Sequence, residues 1–432
     1  MPLGRLNLWK RYMHHFDYIN GEFHCEQVPL SKIAAEVGTP FYCYSHATLL
    51  RHFTVFDQAF KDVPHLVCFA VKANSNLAVI RIFAKAGGGA DIVSGGELFR
   101  ALKAGVPAGK IVFAGVGKTR PEIEAALNAG VLMFNVESSQ ELLFIDSVAG
   151  KLGKKAPVAL RVNPDVDPKT HPYISTGLKS NKFGIAYESA LEEYKNASRL
   201  ANIEIVGMHK HIGSQITLVS PFADALEKTL EMVTALKAEG INIRYVDIGG
   251  GLGITYQDEA PPHPEELAKA ITPMLQQTGC TIIFEPGRVL VGNAGALVAR
   301  TLYSKVNAEK TFLIVDAAMN DLVRPSLYGS YQHIVPVLEE AGKRKKSSVD
   351  VVGPICESGD FLAKDRVLPE FRPGELMAVM SAGAYGFTMS SNYNSRPRVP
   401  EVLVNGDTYD VIRARETVED LVRGESIPSY LE

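Results

Sequence analysis

Lys72 closes the apolar run HLVCFAVK. A lysine at a strand end projects its amine outward, where it can form a Schiff base with a carbonyl cofactor. Alone, such a lysine is an ordinary snorkelling side chain, so its companions decide its meaning. Gly249, Gly250 and Gly251 follow a second apolar run in the string DIGGGLG, and glycines let backbone N–H groups approach a phosphate closely. Glu285, Gly287 and Arg288 follow a third run in the string EPGR. A carboxylate such as Glu285 beside a pyridine nitrogen keeps that nitrogen protonated, so the ring can withdraw electrons from a carbanion. A salt bridge in the core is the plainer alternative for Glu285. His209 and His211 are two apart and share one side of an extended segment, and Ser214 after them adds a hydroxyl and an amide donor. One of these histidines suits stacking on an aromatic ring. A metal is the competing use of the pair, but the neighbouring segments offer no equally clear third ligand.

These residues need elements that bring them to one place. Apolar, β-branched runs at 66–71, 90–93, 111–114, 132–136, 158–162, 205–211, 245–248 and 281–284 alternate with helical patterns such as SNLAVIRIFAKAG and SGGELFRALKAG. Eight strands with intervening helices predict a (β/α)8, TIM-like barrel over 36–290. A doubly wound sheet is the runner-up. In such a barrel reactive groups sit at the C-terminal strand ends, and the loops after the seventh and eighth strands are the customary phosphate site. Those two loops carry the glycines and Glu285 here. After 290 the pattern changes to separate runs at 296–302, 311–315, 348–352, 376–380 and 399–404. They predict a mostly antiparallel β domain, which 1–35 completes through a hairpin turning at Asn20-Gly21. The fold class is therefore α/β, a barrel plus a β domain.

Composition narrows the partners. With 45 basic and 48 acidic residues spread along 432, the net charge of −3 gives no footprint for nucleic acid or an anionic membrane. The basic run KRKK at 343–346 reads as a solvated loop. Five scattered cysteines, none in a CxxC pair, argue against a disulfide framework or a zinc site and fit a reducing cytoplasm. The N-terminal segment has charges where a signal peptide needs an apolar core, and no run is long and apolar enough to span a membrane.

The strings FAVKAN at 69–74, HIGSQ at 211–215, GGGLG at 249–253 and EPGR at 285–288, in this order, resemble the fold type III pyridoxal-phosphate decarboxylases. Within that group HPYISTGLKSNKFGI at 171–185, MNDLVRPSLYG at 319–329 and CESGD at 356–360 resemble the diaminopimelate decarboxylases. The resemblance implies pyridoxal 5′-phosphate as cofactor, with Lys72 as its covalent anchor and Asp91 nearby. It places His211 against the ring, Ser214 and Gly249–Gly251 near the phosphate, and Glu285 at the pyridine nitrogen. It also implies that Arg288, Arg324, Tyr328 and Glu357 hold the substrate, that Tyr385 in SAGAYG lies near cofactor or substrate, and that Cys356 donates a proton. Gly287 and Arg288 count with the cofactor contacts. A homodimer is implied too, with CESGD contributed to the neighbouring subunit's site.

The implied reaction converts meso-diaminopimelate to L-lysine and CO2, the last step of lysine synthesis. Diaminopimelate carries an ammonium and a carboxylate at its distal end, which two arginines and Glu357 would match, whereas ornithine or lysine offers an arginine no distal carboxylate. A decarboxylase for another basic amino acid, an amino-acid racemase and a non-catalytic cofactor-binding protein are the alternatives.

Overall fold

The computed structural model describes residues 14–167, 182–307 and 310–431. The chain divides into two compact units, Leu50–Leu290 and a second that joins Met1–Leu49 to Val291–Glu432.

The first unit is built on β1 (His65–Ala70), β2 (Gly89–Ile92), β3 (Ile111–Phe113), β4 (Met133–Val136), β5 (Ala156–Asn163), β6 (Ile203–His209), β7 (Tyr245–Asp247) and β8 (Thr281–Phe284). All eight correspond to runs expected from the sequence, with ends moved by a residue or two. Neighbours pair in parallel around the ring, and pairing of β8 with β1 and of β4 with β5 closes it. Closure rules out the doubly wound alternative, whose sheet has two free edges. Strands β2, β3 and β4 are buried at every position, as expected of parallel strands covered on both faces. Inside, Cys68, Val112, Met133, Ala159, Val206 and Ile283 form a small apolar plug drawn from six strands. Outside, rings bind helices to strands, as where Phe56 meets Phe284 at 5.5 Å between centroids.

Each of the first seven strands leads into a helix, and His46–Ala59 precedes β1. Several helices start abruptly because a side chain caps them. Asn76, Ser94 and Ser138 accept first-turn N–H groups, while Thr119 and Glu122 form a reciprocal capping box. Such caps end the connection promptly and leave the strand ends free to present side chains.

In the second unit, Phe16–Ile19 and Glu22–Cys25 form the expected hairpin. Asn20 and Gly21 take φ of 52° and 84°, as a tight turn with two left-handed residues requires. The larger sheet contains all five of the later expected strands and is mostly antiparallel, with two parallel pairings. Phe41–Ser45, which no alternation in the sequence marks, is a fully buried strand between Gly295–Val306 and Glu401–Asn405. Phe16, Phe23, Leu30, Phe41, Val298 and Val402 share one core. Among the described residues no helix is long and apolar enough to cross a membrane.

Candidate active site

Lys72 stands in the short turn Val71–Ala73 directly after β1. Its Nζ lies 2.6 Å from Asp91 Oδ2, which β2 holds fully buried. Asp91 was implied by resemblance alone; the barrel explains it, because β1 and β2 are neighbours. Burial, aided by the charge of Glu285 and opposed by Lys72, raises the Asp91 carboxyl to about 7. Its other oxygen, Oδ1, is buried without a hydrogen-bond partner among the described residues. A buried acceptor of this kind awaits a donor.

Glu285, just past β8, sits in a buried polar network. Asn135 Nδ2 donates to Glu285 Oε1 at 3.2 Å and to Asp247 Oδ2 at 3.1 Å, and His209 Nε2 lies 3.5 Å from Glu285 Oε2. Burial alone would raise Glu285, yet His209, with Lys72 and His211, holds it below the usual carboxylate range. Burial drives His209 itself toward neutrality, so the imidazole acts on Glu285 mainly as a nearby dipole and not as a full charge. Asp247 moves the opposite way, raised by burial and by the neighbouring Glu285. His209, Asp247 and Glu285 each bring one atom within 4.8 Å of the others, the third ligand for a metal that the sequence does not reveal. A metal there would leave Lys72 and the glycine loops without a task, whereas a ring nitrogen beside Glu285 uses all of them.

The glycines after β7 are required by contact. Gly249 and Gly251 take φ of 70° and 119°, and a Cβ on Gly250 would lie 2.2 Å from the carbonyl oxygen of Glu285. A Cβ on Gly249 would strike His211 Nδ1 at 2.7 Å. The Gly250 N–H donates to His211 Nδ1 at 3.2 Å. Burial and the charge of Arg161 push His211 well below its ordinary pKa, so it is neutral and carries its proton on Nε2. Arg288 follows Gly287 and opens the short helix Arg288–Val291. It is buried, donating to Tyr256 OH at 2.5 Å and to Ser214 Oγ at 3.2 Å. A lysine beside an unsatisfied buried carboxylate oxygen, a side-chain-free glycine cradle and an anionic glutamate fit the aldehyde, phosphate and ring nitrogen of pyridoxal phosphate respectively.

The remaining expected residues lie in the second unit. Arg324 and Tyr328 occupy the helix Arg324–Tyr328, with Pro325 in its first turn and Gly329 closing it at φ 61°. The Arg324 guanidinium lies 5.3 Å from the Tyr328 ring centre and 6.0 Å from that of Tyr385. Tyr385 holds φ at 55°, uncommon for an aromatic residue. Cys356 and Glu357 are exposed on their loop. Asp360 ties that loop to the Arg324 segment by accepting from Met319 N at 2.7 Å and Ile355 N at 2.8 Å. Ser326 Oγ donates to Gly359 O at 2.6 Å, and Cys356 N to Asn394 Oδ1 at 2.8 Å. Most of the HPYISTGLKSNKFGI string lies outside the described residues.

Five participants were not expected from the sequence. Asn135, Asp247 and Tyr256 are described above, and Arg161 on β5 pairs with Glu137 at 2.8 Å, both buried. Asn135 and Arg161 left a signal: each is a polar residue inside an otherwise apolar run.

The region 46–292 matches the model of the pyridoxal-dependent decarboxylase pyridoxal-binding domain. The chain is 52% identical to a diaminopimelate decarboxylase of Vibrio cholerae over 96% of its own length and 99% of that relative's. It superposes on the Helicobacter pylori diaminopimelate decarboxylase complexed with L-lysine with a TM-score of 0.88, at 45% identity, covering 91% of this chain and 98% of that one. The M. jannaschii diaminopimelate decarboxylase in complex with L-lysine gives 0.92 at 39% identity, covering 97% and 99%. A closed eight-strand barrel, a lysine and glycine-cradle cofactor seat and near-full-length similarity coincide, and the chain belongs to the diaminopimelate decarboxylases, pyridoxal-phosphate-dependent carboxy-lyases.

Proposed function

We propose that this chain decarboxylates meso-diaminopimelate to L-lysine and CO2. The observation that carries the reading is the Lys72–Asp91 pair facing the same polar network as Glu285, with the glycine cradle beside it. Bound pyridoxal phosphate supplies an electron sink for the charge left when CO2 departs. Lys72 would hold it covalently, and Asp91, paired with that amine at 2.6 Å, would accept hydrogen bonds at that end. Gly249–Gly251 and Ser214 would hold the phosphate, His211 would pack against the ring, and Glu285 would keep the ring nitrogen protonated.

The scissile carboxylate must stay away from arginines, because pairing it would stabilise the ground state more than the transition state. Arg288 and Arg324, with Glu357, Tyr328 and Tyr385, therefore hold the distal ammonium and carboxylate, and Cys356 returns a proton to the α-carbon. Measuring CO2 release from meso-diaminopimelate, lysine, ornithine and arginine in parallel tests this: turnover of the first is expected, and its absence would overturn the assignment.

The working enzyme is a homodimer with shared sites, a reading supported by the exposure of Cys356 and Glu357 on a firmly anchored loop. Mixing Lys72→Ala and Cys356→Ala chains should restore activity above either parent; no recovery counts against sharing. Five free cysteines, four of them buried, suit the cytoplasm.

A further inference from the structure

Two buried carboxyl groups meet in the barrel without a full countercharge. Glu285 and Asp247 come from neighbouring strand ends, and one amide, Asn135 Nδ2, donates to both. Asp247 Oδ1 accepts the Gly249 N–H at 2.9 Å, so both of its oxygens are engaged. Carboxylates this close in a dry interior cannot both ionise, and one must hold a proton. The groups facing the pair decide which. Glu285 has His209 at 3.5 Å, with Lys72 and His211 also favouring its charge and the buried Asp91 carboxyl, paired with Lys72, opposing it. Asp247 faces Asn135 and the backbone of Gly249, lies near Cys68, and has Lys210 as its cation. Lys210 is itself buried and lowered by that burial to about 7, so it is a weak countercharge.

We propose that Asn135 and Asp247 are positioning residues for Glu285: Asp247 keeps the proton of the pair and donates it to Glu285, while Asn135 holds both carboxyl groups in register. Glu285 alone then presents negative charge to the cofactor's ring nitrogen, and the inference rests on reading Glu285 as the partner of that nitrogen. The arrangement requires a neutral hydrogen-bond donor at position 247 and does not require an acid there.

The test compares holoenzyme variants Asp247→Asn, Asp247→Ala, Asn135→Asp and Glu285→Gln. The readouts are the absorption spectrum of the bound cofactor, the pH midpoint at which it changes, and retention of pyridoxal phosphate on dialysis. Asp247→Asn keeps a neutral donor and should move the midpoint by less than about 0.3 unit. Asp247→Ala removes the donor and should weaken cofactor retention about tenfold, the effect of losing one hydrogen bond to a charged group. Asn135→Asp adds a third acid and should shift the midpoint by about one unit or more. An Asp247→Asn midpoint displaced as far as that of Glu285→Gln would mean Asp247 is charged and overturns the proposal. Melting temperatures that fall while spectrum and midpoint stay fixed in both Asp247 variants would reduce the residue to a structural role, also overturning it. If Glu285→Gln alone leaves spectrum and retention unchanged, the assignment of Glu285 fails and the inference fails with it. Near-isosteric Asp247→Asn keeps the test available should Asp247→Ala not fold.

Discussion

In the barrel unit, proposed cofactor contacts arrive from different strand ends and are fixed by other side chains: Lys72 by Asp91, Glu285 by Asn135 and His209, Arg288 by Tyr256 and Ser214. In the second unit, the proposed substrate contacts ride on the short helix Arg324–Tyr328 and on loops held largely through backbone groups, with Asp360, Ser326 and Asn394 as the pins. The first arrangement fixes electrostatics, since moving one partner leaves a buried charge unpaired. The second fixes chain paths while leaving Cys356 and Glu357 exposed. Cofactor contacts and most substrate contacts thus rest on differently built supports, with Arg288 proposed for both, and that contrast is open to attack.

The severest break is Lys72→Ala, which should lower kcat by at least about a thousandfold and leave no borohydride-reducible adduct with pyridoxal phosphate. Next, Arg324→Ala or Glu357→Gln should raise KM for diaminopimelate about 10- to 100-fold with the bound-cofactor spectrum unchanged. A changed spectrum would mean that the two regions are not independent. Asp360→Ala removes two backbone acceptors and should cost about 1–3 kcal/mol of stability in denaturant melts, again with an unaltered spectrum.

The smallest effect concerns Lys210. Burial lowers its amine from the ordinary lysine value to about 7, so between there and its unfolded pKa the unfolded chain binds a proton that the native one does not. Stability from this group is therefore present at high pH and lost as pH falls toward 7. Lys210→Met should stabilise the protein by on the order of 1 kcal/mol near pH 7, with the advantage shrinking toward pH 10 in thermal melts. A constant difference across that range would contradict the assignment of a neutral buried lysine.

The barrel was legible because each strand is a compact apolar run bounded by turn residues and followed by a helical pattern. Phe41–Ser45 escaped because FYCYS is buried on both faces and lacks alternation. In the loop after β7, the need for Gly249–Gly251 was readable, since few reasons place three glycines after a strand, and positive φ and close backbone contacts require them there. Asp91 and Asp247 were not, because each lies within or at the end of a short buried strand where only the neighbour across the sheet gives an acid its role. Asn135 and Asp247, 112 positions apart, meet only because the barrel closes.

The Gly250 backbone leaves no room for a methyl group against the Glu285 carbonyl, and Glu285 N donates to Gly249 O at 2.9 Å. The loop proposed to cradle one end of the cofactor and the residue proposed to meet the other are therefore one mechanical part, a ruler of fixed length. For redesign this means that a longer or bulkier cofactor analogue cannot be admitted by editing either loop alone. Gly250→Ala would displace Glu285 from the ring nitrogen, so even a change aimed at phosphate binding would register at the far end of the cofactor.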